Sequence, residues 1–590
     1  MKKSNSATQS FIKLSIQTIR LLTPAQRKGA AKNIVFSSIV ALLEVISLTA
    51  IFPLLYQIIK YSPSTDTGSA VTKYMSLLTS SLSWYIILAI AVILFLLKNI
   101  ASVLAVRYQS HFVNQLYITF SEQFYQRFYR QSWINYLQEN SAEIFRKIKN
   151  TPYDFTNHVI NGYLQIITEL LICILMIGVV SWIDYRIVYV LVGLSIPIIV
   201  FYYFFRKNII SKIDRSFREH TPKANIMLGQ GIDCFAEAKI YQKEKFFIQK
   251  FIEVIKITSS QLASLHVFAN LPSRILETLG IICFALCILF GKLMPDYEQT
   301  LLLLLALLSV AMYRILPSLN KILISMSQIQ AYAYAVSELK FDSTDDPLQS
   351  REIKPISFED TIQFKNVSFH YTSITDNPLL QNLNFSISKG DFVILEGPSG
   401  VGKTTLIHLL AGLIPEYTGE FNVDGTPLST ASLQIWQHNL SLVPQAPIVL
   451  QDTLLKNIAF GEDENSIDML QVKNAIELAG IHQFIMSLPL QLQTPIGENG
   501  LTLSGGQRQR LILARALYRN PKILLLDEVT NQLDEDNKLK ILNTLKSFTQ
   551  NGKTVILSSH DSMVKRFATR IFRIEKHNIY EVRSDQSASV

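Results

Sequence analysis

The chain has 590 residues, of which 49% are apolar and only 17% charged, and its formal net charge is +9. A soluble domain carries about 25% charged residues and rarely exceeds about 300 residues, so a single soluble domain is excluded. The apolar surplus lies before about residue 320, whereas the segment after about residue 350 has ordinary soluble composition. We therefore expect a membrane-embedded half followed by a soluble half.

Six long apolar runs predict six membrane-spanning helices within a transmembrane domain at residues 1–340. A bilayer core about 30 Å thick needs about 20 apolar residues of helix. The runs that meet or approach this length are residues 34–59, 84–106, 163–183, 187–205, 275–291 and 300–316. Only Asp184 to Arg186 join the third run to the fourth, which predicts a helical hairpin. A polar stretch follows Lys2 and Lys3, so no cleavable signal peptide is expected.

Basic residues are concentrated in the N-terminal tail and in the two long loops between spans. They include Lys13, Arg20, Arg27, Lys28 and Lys32 in the tail, Arg107, Arg127, Arg130, Arg146, Lys147 and Lys149 in one loop, and Arg206, Lys207, Lys212, Arg215 and Arg218 in the other. This asymmetry is the positive-inside pattern, which predicts that both chain ends are cytoplasmic. The lipid bilayer, through its anionic headgroups, is the expected partner of this charge, and nucleic acid is not.

The two long loops, about 107–162 and 206–274, carry apolar residues at helical intervals. The stretches "FVNQLYITFSEQFYQRFY" and "EAKIYQKEKFFIQKFIEVIK" show the pattern. Helices here would extend the membrane spans about 37 Å into the cytoplasm, at 1.5 Å per residue. Such paired extensions would carry motion between a soluble domain and the membrane. The alternative is two independent amphipathic surface helices.

A polar segment, "FDSTDDPLQS", lies in a predicted linker at residues 341–358, and alternating strands and helices predict an α/β domain at 359–590. In that domain "FVILEGPSGVGKTT" is a strand, a glycine-rich turn and a helix start, which fits the P-loop pattern. Glycines let backbone N–H groups form one phosphate cradle, and the helix N-terminus adds its positive end. We expect Lys403 to reach the β- and γ-phosphates. The predicted ATP-binding residues are Tyr371, Gly397, Pro398, Ser399, Gly400, Val401, Gly402, Lys403, Thr404 and Thr405.

Polar side chains at the ends of apolar strands predict the rest of a phosphoryl-transfer site. Asp527 ends "KILLLD", where α/β sheets bind ligands, so we expect Mg²⁺ to be held by Thr404, Gln445 and Asp527. The predicted catalytic residues are Glu528, which would polarise the attacking water, with Gln445 and His560. Tyr371 would stack on adenine. Each has a structural alternative, such as a solvated acid or a packed aromatic ring.

A second phosphate-type turn, "LSGGQ" at Leu503 to Gln507, precedes the helix "RQRLILARALYR". With the P-loop, "ILLLDE" and the strand-ending histidine in this order, the chain resembles the ATP-binding cassette (ABC) family. The six spans with two long cytoplasmic loops resemble its exporter branch. The resemblance covers essentially the whole chain and implies a type IV exporter half-transporter, in which an α-helical six-span domain is fused to a P-loop ATPase. It also implies a translocase that hydrolyses ATP with Mg²⁺ as cofactor.

The same resemblance implies a dimer, because in that family LSGGQ of one chain covers the ATP held by the P-loop of another. The residues expected to contact ATP in trans are Ser504, Gly505, Gly506, Gln507 and Asp534. A homodimer is expected, with a heterodimer of two half-transporters as the alternative. The family's usual "ATSALD" reads "VTNQLD" here, and Asn531 and Gln532 put communication between the two sites in question. "TPIGENG", residues 494–500, resembles the loop that meets the partner's cytoplasmic extension. The tips of the extensions, about 131–142 and 215–228, are expected to dock on the nucleotide-binding domains.

The cargo is less closely defined by the sequence. The stretches "EAKIYQKEKFF", "LPSRILET" and "YRILPSLNKILISMSQI" resemble bacterial lipid-linked oligosaccharide flippases. This implies export or flipping of a lipid-linked saccharide or another amphipathic lipid across a plasma membrane, the bacterial inner membrane. A multidrug or lipid A type exporter is the alternative, and a non-transporting regulator is disfavoured by the intact Glu528 and LSGGQ. Charged residues in or near the spans would bind an anionic head or pair with one another: Glu44, Glu169, Arg274, Glu277 and Arg314.

Overall fold

The computed structural model describes residues 11–50, 53, 84–183, 220, 223–292, 298–339, 357–371, 379–429, 432–497, 503–530 and 534–582. Several sequence predictions lie outside these residues: the fourth apolar run, the hairpin at 184–186, most of the linker, half of the second tip, residues 498–500, Asn531 and Gln532. The chain divides into two compact units. The first comprises Met1–Gln131 and Gln138–Asp342, and the second comprises Ser132–Leu137 and Ser343–Val590.

The first unit is helical throughout its described residues. Three of its helical stretches are long and apolar enough to cross a membrane: Pro24–Thr49, Trp84–Arg130 and Ser141–Trp182. The fifth and sixth predicted runs lie within the helices Glu244–Lys292 and Glu298–Ala331. The stretch that begins at Ser141 consists of the helices Ser141–Phe145, Thr151–Asp154 and Asn161–Ile183, joined by π-helical turns at Arg146–Asn150 and Phe155–Ile160. Further helices are Phe11–Leu21, Phe235–Ile240 and Ala333–Glu338, and the short helix Trp133–Gln138 begins in the segment that groups with the second unit.

The second span continues without interruption into the loop that follows it, as predicted. The helix Trp84–Arg130 has 47 residues, so at 1.5 Å per residue it runs for about 70 Å, more than twice the thickness of a bilayer core. The helix Glu244–Lys292 has 49 residues and likewise continues from the fourth loop into the fifth apolar run. Independent surface helices, the alternative that the sequence left open, do not fit such continuous helices.

Apolar side chains hold the first unit together along one continuous core. Phe120, Phe155, Val159, Met176 and Ile329 are buried in this core, and they come from three widely separated stretches of the chain. The ring of Phe120 meets that of Phe155 edge to face, with centroids 5.2 Å apart. A buried ion pair adds to this packing, since Arg146 donates to both carboxylate oxygens of Glu338 at 2.9 and 2.8 Å.

The second unit has the predicted α/β architecture, with two sheets. Four strands form an antiparallel sheet in the order β2-β1-β4-β5, where β1 is Thr361–Phe369, β2 Leu380–Ser388, β4 Thr418–Val423 and β5 Thr426–Pro427. Six strands form the other sheet in the order β10-β9-β3-β8-β7-β6, where β3 is Phe392–Glu396, β6 Leu440–Val443, β7 Ile523–Asp527, β8 Thr554–Ser558, β9 Arg570–Glu575 and β10 Asn578–Val582. Strands β6, β7, β8, β3 and β9 are parallel, and β10 pairs antiparallel to β9.

Buried apolar strands explain why the parallel sheet lies at the centre of this unit. All five residues of β3, of β7 and of β8 are buried, which is typical of a parallel sheet covered on both faces. The helices of this unit are Lys403–Leu410, Leu433–His438, Leu454–Ile458, Met469–Leu478, His482–Ser487, Gly505–Tyr518, Glu535–Gln550 and Ser562–Lys565, with 3₁₀ turns at Glu464–Ser466 and Gln491–Gln493. The carboxyl ends of β3, β7 and β8 therefore meet at one edge, and the polar residues of the predicted site follow them.

Candidate nucleotide-binding site

The P-loop connects β3 to the helix Lys403–Leu410 and requires glycine at defined positions. Gly397 has φ +152°, and a Cβ there would lie 2.5 Å from the carbonyl oxygen of Ile574. Gly402 has φ +109°, in the left-handed region, and forms the N-cap of the helix. The loop thus turns sharply against β9 and delivers the helix N-terminus to the sheet edge, a geometry that binds anions.

Lys403 is almost fully buried at the mouth of this loop. Its ammonium donates to the carbonyl oxygens of Gly397 at 2.9 Å and Pro398 at 3.1 Å, and its Nζ lies 2.7 Å from Nε2 of His560. Burial lowers the pKa of Lys403, and the carboxylates of Glu528 and Asp527 oppose that shift. The cation is therefore held where a phosphate would replace its carbonyl and imidazole partners.

Thr404 and Asp527 form an oxygen-rich pair beside the lysine. The Thr404 hydroxyl donates to Oδ2 of Asp527 at 2.7 Å, and the Ser558 hydroxyl donates to Oδ1 at 2.5 Å. Mg²⁺ in phosphoryl-transfer sites is held by one or two protein oxygens together with phosphates and waters. Within the described residues no three His, Cys, Asp or Glu side chains cluster as a metal site, and this partial ligand set needs none. Thr404 and Asp527 therefore fit the predicted magnesium position, whereas the amide of Gln445, the third predicted ligand, is bonded to Glu528 at 2.8 Å and its contact with Mg²⁺ stays a prediction.

The predicted catalytic residues Gln445 and His560 both lie beside the carboxylate of the third, Glu528. Its Oε2 accepts a hydrogen bond from Nε2 of Gln445 at 2.8 Å, and its Oε1 lies 3.6 Å from Nε2 of His560 and 3.9 Å from Nζ of Lys403. Its backbone has φ +51°, a conformation that costs a residue with a side chain free energy and that is enriched at active sites. The backbone N–H donates to the Ser558 hydroxyl at 3.0 Å, which fixes this turn to β8.

Tyr371 lies apart from these polar contacts. It follows β1, and its ring meets that of Phe369 edge to face at 4.8 Å. Tyr371 is partly buried and packs against the apolar core of the second unit. Its role in stacking on adenine stays a prediction.

The LSGGQ segment begins the helix Gly505–Tyr518 and is capped by its own side chains. The Ser504 hydroxyl accepts from the Gln507 backbone N–H at 3.3 Å, and Gln507 Oε1 accepts from the Ser504 N–H at 2.9 Å. This capping box makes Ser504 a well-formed helix start, as predicted from the sequence. Asp534 begins the helix Glu535–Gln550, and a hydrogen bond from Asn537 lowers the pKa of its carboxyl.

Part of the first predicted tip belongs to the second unit. Residues Ser132–Leu137 group with the nucleotide-binding residues, and Trp133 and Ile134 pack against the core of that unit. The Trp133 ring meets that of His408, on the P-loop helix, with centroids 5.1 Å apart. The tip therefore contacts the helix that carries Thr404.

The charged residues that the sequence placed in or near the spans are paired with one another. Arg314 lies 2.7 Å from Oε2 of Glu44 and 3.4 Å from Oε2 of Glu169, and its side chain is largely buried. Lys321 and the Ser318 hydroxyl each contact Glu169 at 2.7 Å. The sequence left open whether Arg314 faces an anionic cargo or another helix, and the structure shows the pairing. Arg274 pairs with Glu277 one helical turn away, at 3.0 Å, with both side chains exposed.

Three polar residues of the site have no counterpart in the sequence predictions: Ser558, Asp561 and Glu396. Ser558 bridges Asp527 and the Glu528 backbone, because β7 and β8 are neighbours with Asp527 and Ser558 in register. This contact of Ser558 depends on the strand order. The sequence feature that could have indicated it is a serine hydroxyl shortly before the strand-ending histidine. Glu396 lies at the end of β3, where the surrounding sequence shows only an apolar strand.

The fold and this site define a nucleoside-triphosphate hydrolase joined to a helical membrane unit. Residues 380–531 match the family described as "ABC transporter". The chain is 25% identical over 512 residues to an ATP-dependent lipid A-core flippase of Burkholderia orbicola (strain AU 1054), covering 85% of this chain and 84% of that protein. It is 40% identical over 197 residues to the multidrug resistance protein pgp-1 of Caenorhabditis elegans, covering 33% of this chain and 15% of that protein.

A solved structure of a bacterial Atm1-family ABC exporter with ATP bound matches the fold with a TM-score of 0.74 at 20% identity, covering 93% of this chain and 94% of that one. Residues 380–531 therefore form an ABC transporter domain, and the chain has the architecture of an ABC exporter. It is an ATPase that couples hydrolysis to transport. The predicted family and fold class are thereby confirmed.

Proposed function

We propose that two copies of the chain assemble and that the LSGGQ segment of each completes the ATP site on the P-loop of the other. The single observation that carries this proposal is that the phosphate cradle around Lys403 and the capped LSGGQ segment at Ser504 begin two different helices, Lys403–Leu410 and Gly505–Tyr518. Both are anion-binding features. One ATP molecule would engage both when two nucleotide-binding units meet. Pairing with a different half-transporter is the second arrangement.

Each residue at the sheet edge has a proposed part in hydrolysis. The P-loop N–H groups and Lys403 would bind the β- and γ-phosphates, and the amides would do so without reorganising. Glu528 would accept the proton of the attacking water, while Gln445 holds the Glu528 carboxylate by a 2.8 Å hydrogen bond. His560 would donate to the γ-phosphate as that group takes the place of the His560–Lys403 contact. Mg²⁺, held by Thr404 and Asp527, would neutralise phosphate charge.

Closure of the nucleotide-binding units would be transmitted through the segment Ser132–Leu137. This segment packs on the nucleotide-binding unit through Trp133 and Ile134, and it continues directly from the long helix Trp84–Arg130. A rigid helix can carry a displacement of its end over its whole length. The proposed location is a plasma membrane, the bacterial inner membrane, with both chain ends cytoplasmic.

The proposed cargo is an amphipathic lipid with an anionic head, such as a lipid-linked saccharide. Similarity to the lipid A-core flippase extends over 85% of the chain, whereas similarity to the multidrug protein covers 33%. The ion-pair network of the first unit has three cations, Lys98, Arg314 and Lys321, and two carboxylates, Glu44 and Glu169. Its excess of one positive charge favours an anionic over a cationic cargo. A multidrug or lipid A type exporter is the second candidate.

Reconstitution into liposomes tests this function. Purified protein would be incorporated with a fluorescent lipid-linked saccharide, and the outer-leaflet fraction followed with a membrane-impermeant quencher after ATP is added. ATP-dependent movement is expected for the wild type and not for the Glu528→Gln variant. Flipping that is equal with and without ATP, or drug-stimulated ATPase without lipid movement, would contradict the proposed cargo.

A further inference from the structure

Glu396 is a buried carboxylate directly before the P-loop. It ends β3 in parallel register with Arg573 of β9, and only 6% of its surface is exposed. Its Oε1 accepts from Nε of Arg573 at 2.6 Å, and its Oε2 accepts from Nζ of Lys565 at 2.5 Å. Burial of this carboxyl raises its pKa, but hydrogen bonds from Lys565 and Arg573 outweigh burial and hold the pKa below its usual range. The carboxylate is therefore charged and bonded through both oxygens.

Lys565 connects this carboxylate to the segment that carries His560. The short helix Ser562–Lys565 starts at Asp561, immediately after His560, and Lys565 is its last residue. Asp561 caps the helix by accepting from the Met563 N–H at 2.9 Å. Its other oxygen accepts from Lys538 at 2.5 Å. Ion pairs thus hold both ends of the segment that follows His560.

Contacts and chain connections link Glu396, the P-loop, His560 and Lys565 to one another in a closed cycle. Glu396 is followed by Gly397 and Pro398, whose carbonyl oxygens hold the Lys403 ammonium. Lys403 in turn contacts His560. Lys565, which follows His560 in the chain, forms an ion pair with Glu396. The His560 side chain is 42% exposed, so packing alone does not hold the imidazole. Its position depends on the backbone on either side.

We propose that Glu396, acting through Lys565, is a positioning residue that holds His560 at the distance from the P-loop needed for contact with the γ-phosphate. This inference rests on the proposed role of His560. An apolar residue in place of Glu396 would keep β3 intact and leave the Lys565 end of the segment unanchored. Arg573 shares the carboxylate but lies on β9, outside the His560 segment, so it should matter less for turnover.

Steady-state ATPase kinetics of the full-length protein test the proposal. Glu396→Gln and Lys565→Met should each lower kcat by about ten- to a hundredfold, since a small displacement of a reacting group has effects of this size. The double variant should be no slower than the single ones, because both remove the same contact. KM for ATP should change little, and Lys565→Arg should retain turnover. Arg573→Met should stay close to the wild-type kcat.

Glu359→Gln is the matched control, because Glu359 also accepts from two lysines, Lys389 at 2.9 Å and Lys522 at 2.6 Å, at an exposed site. It should retain wild-type kcat, and the thermal unfolding of every variant identifies loss of folding. Equal losses of kcat in Arg573→Met and Lys565→Met, or wild-type kcat in Glu396→Gln, would overturn the inference alone. Wild-type kcat in His560→Ala would overturn the proposed role of His560 and the inference with it.

Discussion

Nε2 of Gln445 donates a hydrogen bond to Oε2 of Glu528 at 2.8 Å, across 83 positions of the chain. The contact forms because Gln445 follows β6 and Glu528 follows β7, and these two strands are parallel neighbours. The other carboxylate oxygen of Glu528 faces His560 and Lys403. Three strand ends thus converge on one carboxylate, which is the group that we propose polarises the attacking water.

Replacement of Glu528 by glutamine should abolish turnover without loss of ATP binding. The amide keeps the size of the side chain but cannot accept a proton, so kcat should fall by about 10²- to 10⁴-fold. Phosphate release measures turnover, and a fluorescent ATP analogue measures binding. Because ATP is bound but not cleaved, the variant should also accumulate with its nucleotide-binding units closed. Wild-type turnover in purified Glu528→Gln protein would refute the assignment.

Local elements of the site could be predicted from the sequence because short stretches determine them. The strand, glycine turn and helix around Lys403 lie within one stretch of the chain, and Asp527 follows an apolar strand. The LSGGQ helix start is equally local, since Ser504 and Gln507 cap each other. Local periodicity likewise predicted the continuous helix Trp84–Arg130.

Contacts that depend on strand order or helix packing could not be predicted in the same way. The partners of Glu396 lie 169 and 177 positions later in the chain, on the helix Ser562–Lys565 and on β9. No spacing rule connects them until β3 and β9 are known to be neighbours. Arg314 and Glu44 are 270 positions apart, so the sequence showed two charges in apolar runs without showing that they pair.

Replacement of Ser504 by arginine should block hydrolysis and leave ATP binding at the P-loop. The longer cation replaces the hydroxyl that caps the helix start and would occupy the space offered to a partner's γ-phosphate. ATPase activity should fall to background, whereas binding of a fluorescent ATP analogue to dilute protein should stay within about twofold of wild type. A comparable loss of binding would contradict the proposal that LSGGQ acts in trans.

Asp561 should make the stability of the protein depend on acid pH. A hydrogen bond from Lys538 lowers the pKa of Asp561 in the folded protein. A carboxyl with a lowered folded pKa stabilises the fold above its unfolded pKa of about 3.9, and that stability is lost as pH falls through the folded pKa. Asp561→Asn keeps a capping side chain but loses the ion pair. It should lower the unfolding temperature at pH 7, and the difference should shrink below about pH 4.

Lys538→Met is the partner control for this titration. It removes the cation and leaves Asp561 in place, so it should reproduce the loss of stability at pH 7. The pair is partly exposed, and its contribution should be up to about 1 kcal/mol. Equal stability of wild type and Asp561→Asn at pH 7 would show that Asp561 acts only as a helix cap, and a difference that stays constant from pH 7 to pH 3 would contradict stabilisation by the ion pair.

The Arg314 network should contribute strongly to the stability of the first unit. Arg314→Met would leave Glu44 with Lys98 at 3.6 Å as its remaining cation. It would also remove one of the two cations that contact Glu169 and leave Lys321 as the other. Removing one partner of a buried ion pair costs about 3 kcal/mol or more, because the other charge stays buried. The unfolding temperature of the detergent-purified protein should therefore fall clearly.

Arg274→Met is the matched control, because Arg274 forms the same type of ion pair with Glu277 but is exposed. Its loss should cost less than about 1 kcal/mol. The double variant Arg314→Met/Glu44→Gln should recover part of the stability lost in Arg314→Met, because the carboxylate that loses its shorter ion pair is neutralised. Equal effects of Arg314→Met and Arg274→Met would show that the buried network contributes no more than a surface pair. A stable Arg314→Met protein with impaired flipping would instead assign Arg314 to the cargo.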